Sequence, residues 1–190
     1  MEGKENPMSA VTIPATTAWN IDPVHSAVEF KVRHMMISNV KGQFTRVAGV
    51  LNLDEADVTQ SHIEASAEAA SIETRDAQRD AHLRSPDFFD VERFPTLSFE
   101  STRIARAGAG KLAVTGNLTI HGVTRETVFA VEGPTAPARD PWGNIRIGLS
   151  AIAKINRKDF GLTWNAALET GGLVVGDEVT ITLDVEFVKA

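Results

Sequence analysis

The sequence predicts an all-β fold, mainly antiparallel, of the sandwich or barrel kind. Two observations carry this. Apolar and polar residues alternate with a period of two in several segments, and Gly- and Asn-containing turns separate those segments at short intervals. No internal repeat is visible and no linker splits the chain, so one domain is expected over residues 18–190, preceded by a disordered polar tail over residues 1–17.

The elements follow in chain order. Trp19 is the first aromatic residue, and the ordered part is expected to begin beside it. Val28, Phe30 and Val32 alternate with Glu29, Lys31 and Arg33, which marks a half-buried strand. Short strands are expected at Gln43 to Val47 and Val50 to Leu53, beside Gly42 and Gly49. From Ser61 to about Ile72 a strand is expected, since Ile63, Ala65, Ala67 and Ala69 alternate with polar residues. A short helix is then expected over Thr74 to Leu83, with an Asp76–Arg79 pair on it and Pro86 ending it. Phe88 and Phe89 follow in a loop, where they either plug an apolar opening or serve as ordinary core side chains. Leu112 to Ile120 and Val123 to Val131 form a hairpin about His121-Gly122, with Gly116 at a bulge or close approach. Beyond the proline-bearing loop from Gly133 to Gly143 come Ile145 to Ala153, and last the alternation of Val179 to Phe187.

Composition narrows the function. The chain has 190 residues, 43% hydrophobic and 23% charged, with a net charge of -6. It has no basic block, so the phosphate-binding electrostatics of a nucleic-acid partner are missing. No apolar run approaches the length of a membrane span, so the chain is not expected to be transmembrane. With no cysteine, thiolate catalysis and Cys-based zinc sites are excluded. Glu2 and Glu5 outweigh Lys4 near the start, and no apolar stretch follows. A cytoplasmic protein is therefore expected, or a periplasmic one if a signal was removed.

A sheet with one apolar face must bury it, and closure into a barrel does so without leaving edges. Ala65, Ala67, Ala69, Gly148, Ala151 and Ala153 occupy or flank inward positions. Small residues there leave room for an apolar cavity, or let a helix pack closely over them.

Seven segments are more specific. They are Trp19-Asn20-Ile21-Asp22-Pro23-Val24-His25-Ser26, Phe30-Lys31-Val32-Arg33-His34-Met35 and Val40-Lys41-Gly42-Gln43-Phe44. Arg79-Asp80-Ala81-His82-Leu83 with Ser85-Pro86-Asp87-Phe88-Phe89 comes next, then Phe94-Pro95-Thr96-Leu97-Ser98-Phe99. Gly116-Asn117-Leu118-Thr119-Ile120-His121-Gly122-Val123-Thr124 and Ile155-Asn156-Arg157-Lys158-Asp159-Phe160-Gly161 complete the set. In order and spacing they resemble the YceI-like family, the polyisoprenoid-binding, lipocalin-like proteins of bacteria. The resemblance runs from about Trp19 to Lys189. It implies an extended eight-stranded antiparallel barrel with a short covering helix. It also implies non-catalytic binding, storage or transport of a long-chain isoprenoid or similar amphiphile in an apolar tunnel. No cofactor is implied, and a homodimer is compatible with it.

Thirteen residues are candidate ligand contacts: His25, Phe30, His34, Ala67, Arg79, His82, Phe88, Phe89, Ala151, Asn156, Arg157, Phe160 and Trp164. His25 either meets a head group at a barrel mouth or ties its turn to a neighbour, and His34 stands open in the same way. Arg79 is a fork donor suited to a polar or phosphate head group, or part of a network with Asp80 and His82 that fixes the helix. Asn156, Arg157 and Asp159 form a similar candidate network. Phe160 and Trp164 line the cavity or pack beneath a loop. The five histidines are scattered, with no His-Glu-x-x-His spacing, nucleophile elbow or Gly-rich phosphate loop. A metal-dependent enzyme using scattered His and Asp residues, and a stress-related interaction domain with a filled core, are the two other function classes.

Overall fold

The structure is a computed structural model that describes residues 16–169 and 171–190. Residues 1–15, which hold most of the expected tail, lie outside the described residues. Strand β1 (Thr16–Ile21) takes in Thr16 and Thr17, two residues that sequence patterning had placed in that tail. There follow β2 (Ala27–His34), β3 (Ser38–Phe44), β4 (Val47–Asp54), β5 (His62–Glu68) and the two-residue β6 (Ile72–Glu73). After α1 (Ala77–Arg84) come β7 (Thr96–Gly108), β8 (Lys111–Ile120), β9 (Val123–Glu132), β10 (Ala138–Arg139), β11 (Ile145–Asn156) and β12 (Val175–Lys189).

Pairing is antiparallel throughout. The order β11-β9-β8-β7-β5-β4-β1-β12 returns to β11 and closes a ring of eight strands. Strands β1 and β2 lie end to end along β12: Ile21 pairs with Phe187, and Val28 with Leu183. Strands β3 and β4 repeat this one position further round. The ring is thus complete at one end, here the paired end. At the other end β3 meets only β6, through Gln43 and Phe44. There α1 and residues 85–95 cover the gap, which makes it the capped end.

Glycines let aromatic rings lie flat against the inner wall. A Cβ on Gly42 would sit 2.3 Å from the Phe30 ring, its cross-strand partner. One on Gly116 would sit 2.4 Å from the Glu100 carbonyl and 2.5 Å from the Phe99 ring. Gly116 is therefore the close approach its sequence position suggests. The His121-Gly122 turn is also as expected, with both residues in left-handed backbone (φ 53° and 71°).

Some expectations are corrected. The helix begins at Ala77, not Thr74, because the Asp76 carboxylate accepts the Arg79 backbone N–H (2.9 Å) and caps it. Arg79 accordingly makes no side-chain pair with Asp76. Its guanidinium donates to the Thr74 hydroxyl and carbonyl, both at 2.7 Å. The strand expected through Ile72 breaks after Glu68 into a 3₁₀ turn at Ala69–Ser71. Thr45 and Arg46, expected in a strand, form the link between β3 and β4. Gly148 flanks the inward row as expected: it points away from the lumen between Ile147 and Leu149, and its nearest side chain is that of Thr135.

The core is packed at both ends: Trp19, Ile147 and Phe187 are almost wholly buried at the paired end, and Ile72 and Phe160 at the capped end. Each such side chain contributes on the order of 1.5–3 kcal/mol. No helix among the described residues is long and apolar enough to cross a membrane.

Candidate functional site

Inside the barrel runs an apolar cavity of about 260 Å³. A water needs only about 10–15 Å³ on a comparable measure, so this is more than a packing defect. Leu53, Val58, Leu112 and Pro134 bound it at the paired end; Ile63, Ala65, Val114, Phe129, Ala151 and Leu183 line its middle. Phe30, Phe44, Leu83, Phe88, Phe89 and Leu162 bound the capped end. Alternation puts these side chains inside, and residue size decides whether they meet. Ala151 faces Leu183 across the β11–β12 ladder, and Ala67 faces Leu97 across β5–β7. An alanine in each pair leaves space that two leucines would fill. At the paired end the cavity adjoins a polar recess of about 440 Å³ that shares Leu53, Val58, Leu112 and Pro134 and adds Asp54, Glu55, Arg106 and Lys111.

The capped end is held by side chains. Phe88 is buried against His82 (5.1 Å between centroids) and Trp164 (5.3 Å), while Phe89 meets Phe44 edge-on at 5.7 Å. Arg84 donates to the carbonyls of Ala70 (2.8 Å) and Ile72 (2.6 Å), which ties α1 to the β5–β6 link. Among the described residues Arg157 is the one charged side chain buried at the cavity wall. Its Nε donates to the Gly176 carbonyl (2.9 Å) and its Nη1 to those of Leu162 (2.6 Å) and Trp164 (2.8 Å). Its Nη2 reaches the Val175 carbonyl (3.4 Å) and Asp177 Oδ1 (3.5 Å). Burial pushes the guanidinium pKa down, and Asp177 partly offsets that. With its donors engaged, Arg157 latches the 161–165 loop to the start of β12.

Of the thirteen candidate contacts, Phe30, Ala67, Phe88, Phe89, Ala151 and Arg157 line the cavity. The structure places the other seven outside its lining. His25 is exposed, with Nδ1 at 2.9 Å from the Asp22 carboxylate. His34 is half-buried at the end of β2. Arg79 holds Thr74, and His82 lies 2.9 Å from Asp87 and packs on Trp164 (4.7 Å). Asn156 caps the 3₁₀ turn that follows it by accepting the Lys158 N–H (3.0 Å). Phe160 packs with Leu118, Ile120 and Leu162, and Trp164 lies half-buried behind Phe88. The expected Asn156–Arg157–Asp159 network does not form, because Arg157 turns to backbone carbonyls and Asp177 instead.

The alternation could not show a second arginine site. Arg146 donates to Asp140 (2.7 Å), Asp22 (2.6 Å) and Glu186 (2.5 Å), which lie 6, 124 and 40 residues away. The Arg146 and His25 bonds hold the Asp22 carboxyl well below the usual carboxylate range. Burial works to raise Asp140, but bonds from Arg146 and Asn144 outweigh it and hold that carboxyl low as well. The three carboxylates raise the Arg146 pKa in turn. Asp22, His25 and Glu186 are close enough to share a cation, yet the guanidinium already sits on two of them. A second group, His62, Glu64 and Glu100, lies on β5 and β7, and His82 belongs to neither group.

Residues 19–187 match the YceI-like domain. The chain belongs to the YceI-like family. It is 37% identical to a UPF0312 protein of Staphylococcus epidermidis over 171 residues, which is 90% of this chain and 97% of that one. To a UPF0312 protein of Vibrio cholerae it is 36% identical over 138 residues, covering 73% of this chain and 72% of the relative. Solved YceI-like barrels superpose on it. Burkholderia cenocepacia BcnA gives a TM-score of 0.75 at 25% identity, covering 87% of this chain and 98% of that one. The Campylobacter jejuni YceI protein gives 0.70 at 27% identity over 100% and 99%. A domain from Saccharophagus degradans, described as polyisoprenoid-binding and implicated in plant cell wall breakdown, shares the fold at a TM-score of 0.66 and 16% identity.

Proposed function

We propose that this YceI-like protein is a non-catalytic binding protein that stores or carries a long-chain isoprenoid or similar amphiphilic lipid, with the apolar chain inside the barrel. The continuous cavity of about 260 Å³, walled almost wholly by carbon, carries this reading. The polyisoprenoid-binding description of the S. degradans barrel supports the choice of chain. Burial contributes about 0.8 kcal/mol per CH₂, so one five-carbon unit supplies at most roughly 4 kcal/mol. Association costs on the order of 4–15 kcal/mol, so a few units suffice for micromolar affinity, about -8 kcal/mol. Affinity then comes from the tail, and a polar head sets orientation.

The test is titration of delipidated protein with a prenylated quinone. Ala151→Phe and Ala67→Phe fill the lumen from β11 and β5. Each is expected to weaken uptake at least about tenfold, the equivalent of about 1.4 kcal/mol, while the β-sheet circular dichroism is unchanged. Unchanged uptake by both folded variants would contradict the reading.

A further inference from the structure

The β2–β3 hairpin projects at the capped end. Its turn, His34 to Ile37, is closed by the Ile37 N–H on the His34 carbonyl (3.1 Å). Met35 and Met36 occupy its two central positions in left-handed backbone, φ 49° and 62°. Asn-Gly relieves that geometry and a methionine pair does not. Burial offsets this little at the tip: Met35 is 38% exposed, Met36 63% and the following Ile37 74%. Leu173, also exposed, flanks them on the neighbouring loop, whose Val174 carbonyl accepts the Met35 N–H (2.8 Å). Arg33 pins the tip by donating to the Met36 carbonyl (2.8 Å).

Behind this apolar tip the outer face of the hairpin is basic. Lys31 and Lys41 pair directly across the ladder, and Arg33 follows on the same face. Like charges set opposite one another destabilise a sheet. None of the three takes part in a salt bridge among the described residues, and Glu29 is the acidic group on that face of β2. The protein is acidic overall, at -6, so the cluster runs against its net charge. The exposure of the apolar tip and the repulsion of the basic pair are both unfavourable in the free protein, and an anionic apolar surface relieves both, while the backbone strain holds the tip in its projecting shape.

We propose that the β2–β3 hairpin docks the protein on an anionic lipid bilayer, with Met36 and Ile37 in the headgroup–acyl boundary and Lys31, Arg33 and Lys41 on the lipid phosphates. Lys41 on the free stretch of the β3 edge disfavours pairing with a second copy there, so a bilayer suits this surface better than another chain. Position gives docking a use. His34 pairs with Val175, which lines the cavity and accepts from Arg157, the residue that also holds Trp164 behind Phe88. A bilayer met by the tip therefore faces the barrel end that side chains close. This use rests on the lipid-carrier reading; docking itself is read without any ligand in the barrel.

The experiment is flotation of the full chain with vesicles of phosphatidylglycerol and phosphatidylcholine, or of phosphatidylcholine alone. The expected result is binding to the anionic vesicles only, weakened by salt. Lys31→Glu/Lys41→Glu and Met36→Asp/Ile37→Asp should each reduce it at least about tenfold. Met35→Asn/Met36→Gly should raise the melting temperature yet reduce binding, a pairing that misfolding cannot produce. Prenylquinone uptake from solution should be unchanged in all three variants. Absence of binding to anionic vesicles, or binding unaffected by these changes, overturns the docking proposal. Loss of quinone uptake by the parent protein overturns the carrier reading instead.

Discussion

The two ends of the barrel are closed by different physics. At the paired end the strands run into one another round the full ring, and Trp19 and Phe187 are buried behind them. Arg146 adds a surface belt there by joining the β1–β2 turn, the β10–β11 turn and β12 through three carboxylates. At the capped end the ladder is interrupted. Closure falls to α1, to Phe88 and Phe89, and to Arg157, whose partners are mostly backbone carbonyls. At the first end the wall is an unbroken ladder and the lumen borders the recess beside Arg106 and Lys111. Opening the second requires only that a loop and two aromatic rings move.

Three substitutions sharpen or break this contrast. Arg157→Met should have the largest effect, because it strands several buried carbonyls. A loss of about 3 kcal/mol is expected, or roughly 6–12 °C in melting temperature. A shift under about 2 °C would mean that the latch is not what holds the capped end. Trp164→Ala should cost less stability, about 1–2 kcal/mol, since the ring is only half-buried. Its main effect should be on rate: release of a bound prenylquinone, followed by stopped-flow transfer to vesicles, should speed up. Slower or unchanged release would place the exit elsewhere.

The smallest effect belongs to Arg146→Met, and pH reveals it. Asp22 and Asp140 have folded-state pKa values below the unfolded value of about 3.9. Their stabilisation is therefore complete above about pH 5 and is lost as the pH falls through the depressed values. The native protein should lose melting temperature between about pH 5 and pH 2, and its margin over Arg146→Met should narrow over that window. A constant margin would show that the carboxylates do not depend on the arginine.

What the sequence revealed follows from distance along the chain. Alternation located six of the eight ring strands but not β1 or β7, for which the sequence carried no such expectation. Gly116 and the His121-Gly122 turn were legible because their causes are local. Ala67 and Ala151 could be picked out because small residues on an inward row leave volume. Arg146 could not: it reads as one more outward residue between Ile145 and Ile147, and its partners Asp22, in the β1–β2 turn, and Glu186, on β12, are remote in sequence. Arg79 misled for a related reason. Its spacing from Asp76 fits a helical ion pair, but Asp76 is the cap and so contacts the backbone. The histidines gave no pattern because they answer to separate neighbours: Asp22 for His25, Glu64 for His62, Asp87 for His82 and the Phe94 ring for His121.

The lumen is proposed to stay open for an apolar chain. Native mass spectrometry of gently purified protein, with organic extraction of the same sample, tests this most directly. The expected result is a one-to-one adduct whose extracted mass is that of a prenyl-type amphiphile, absent from Ala151→Phe. A bare protein mass that persists after incubation with excess prenylquinone would contradict it.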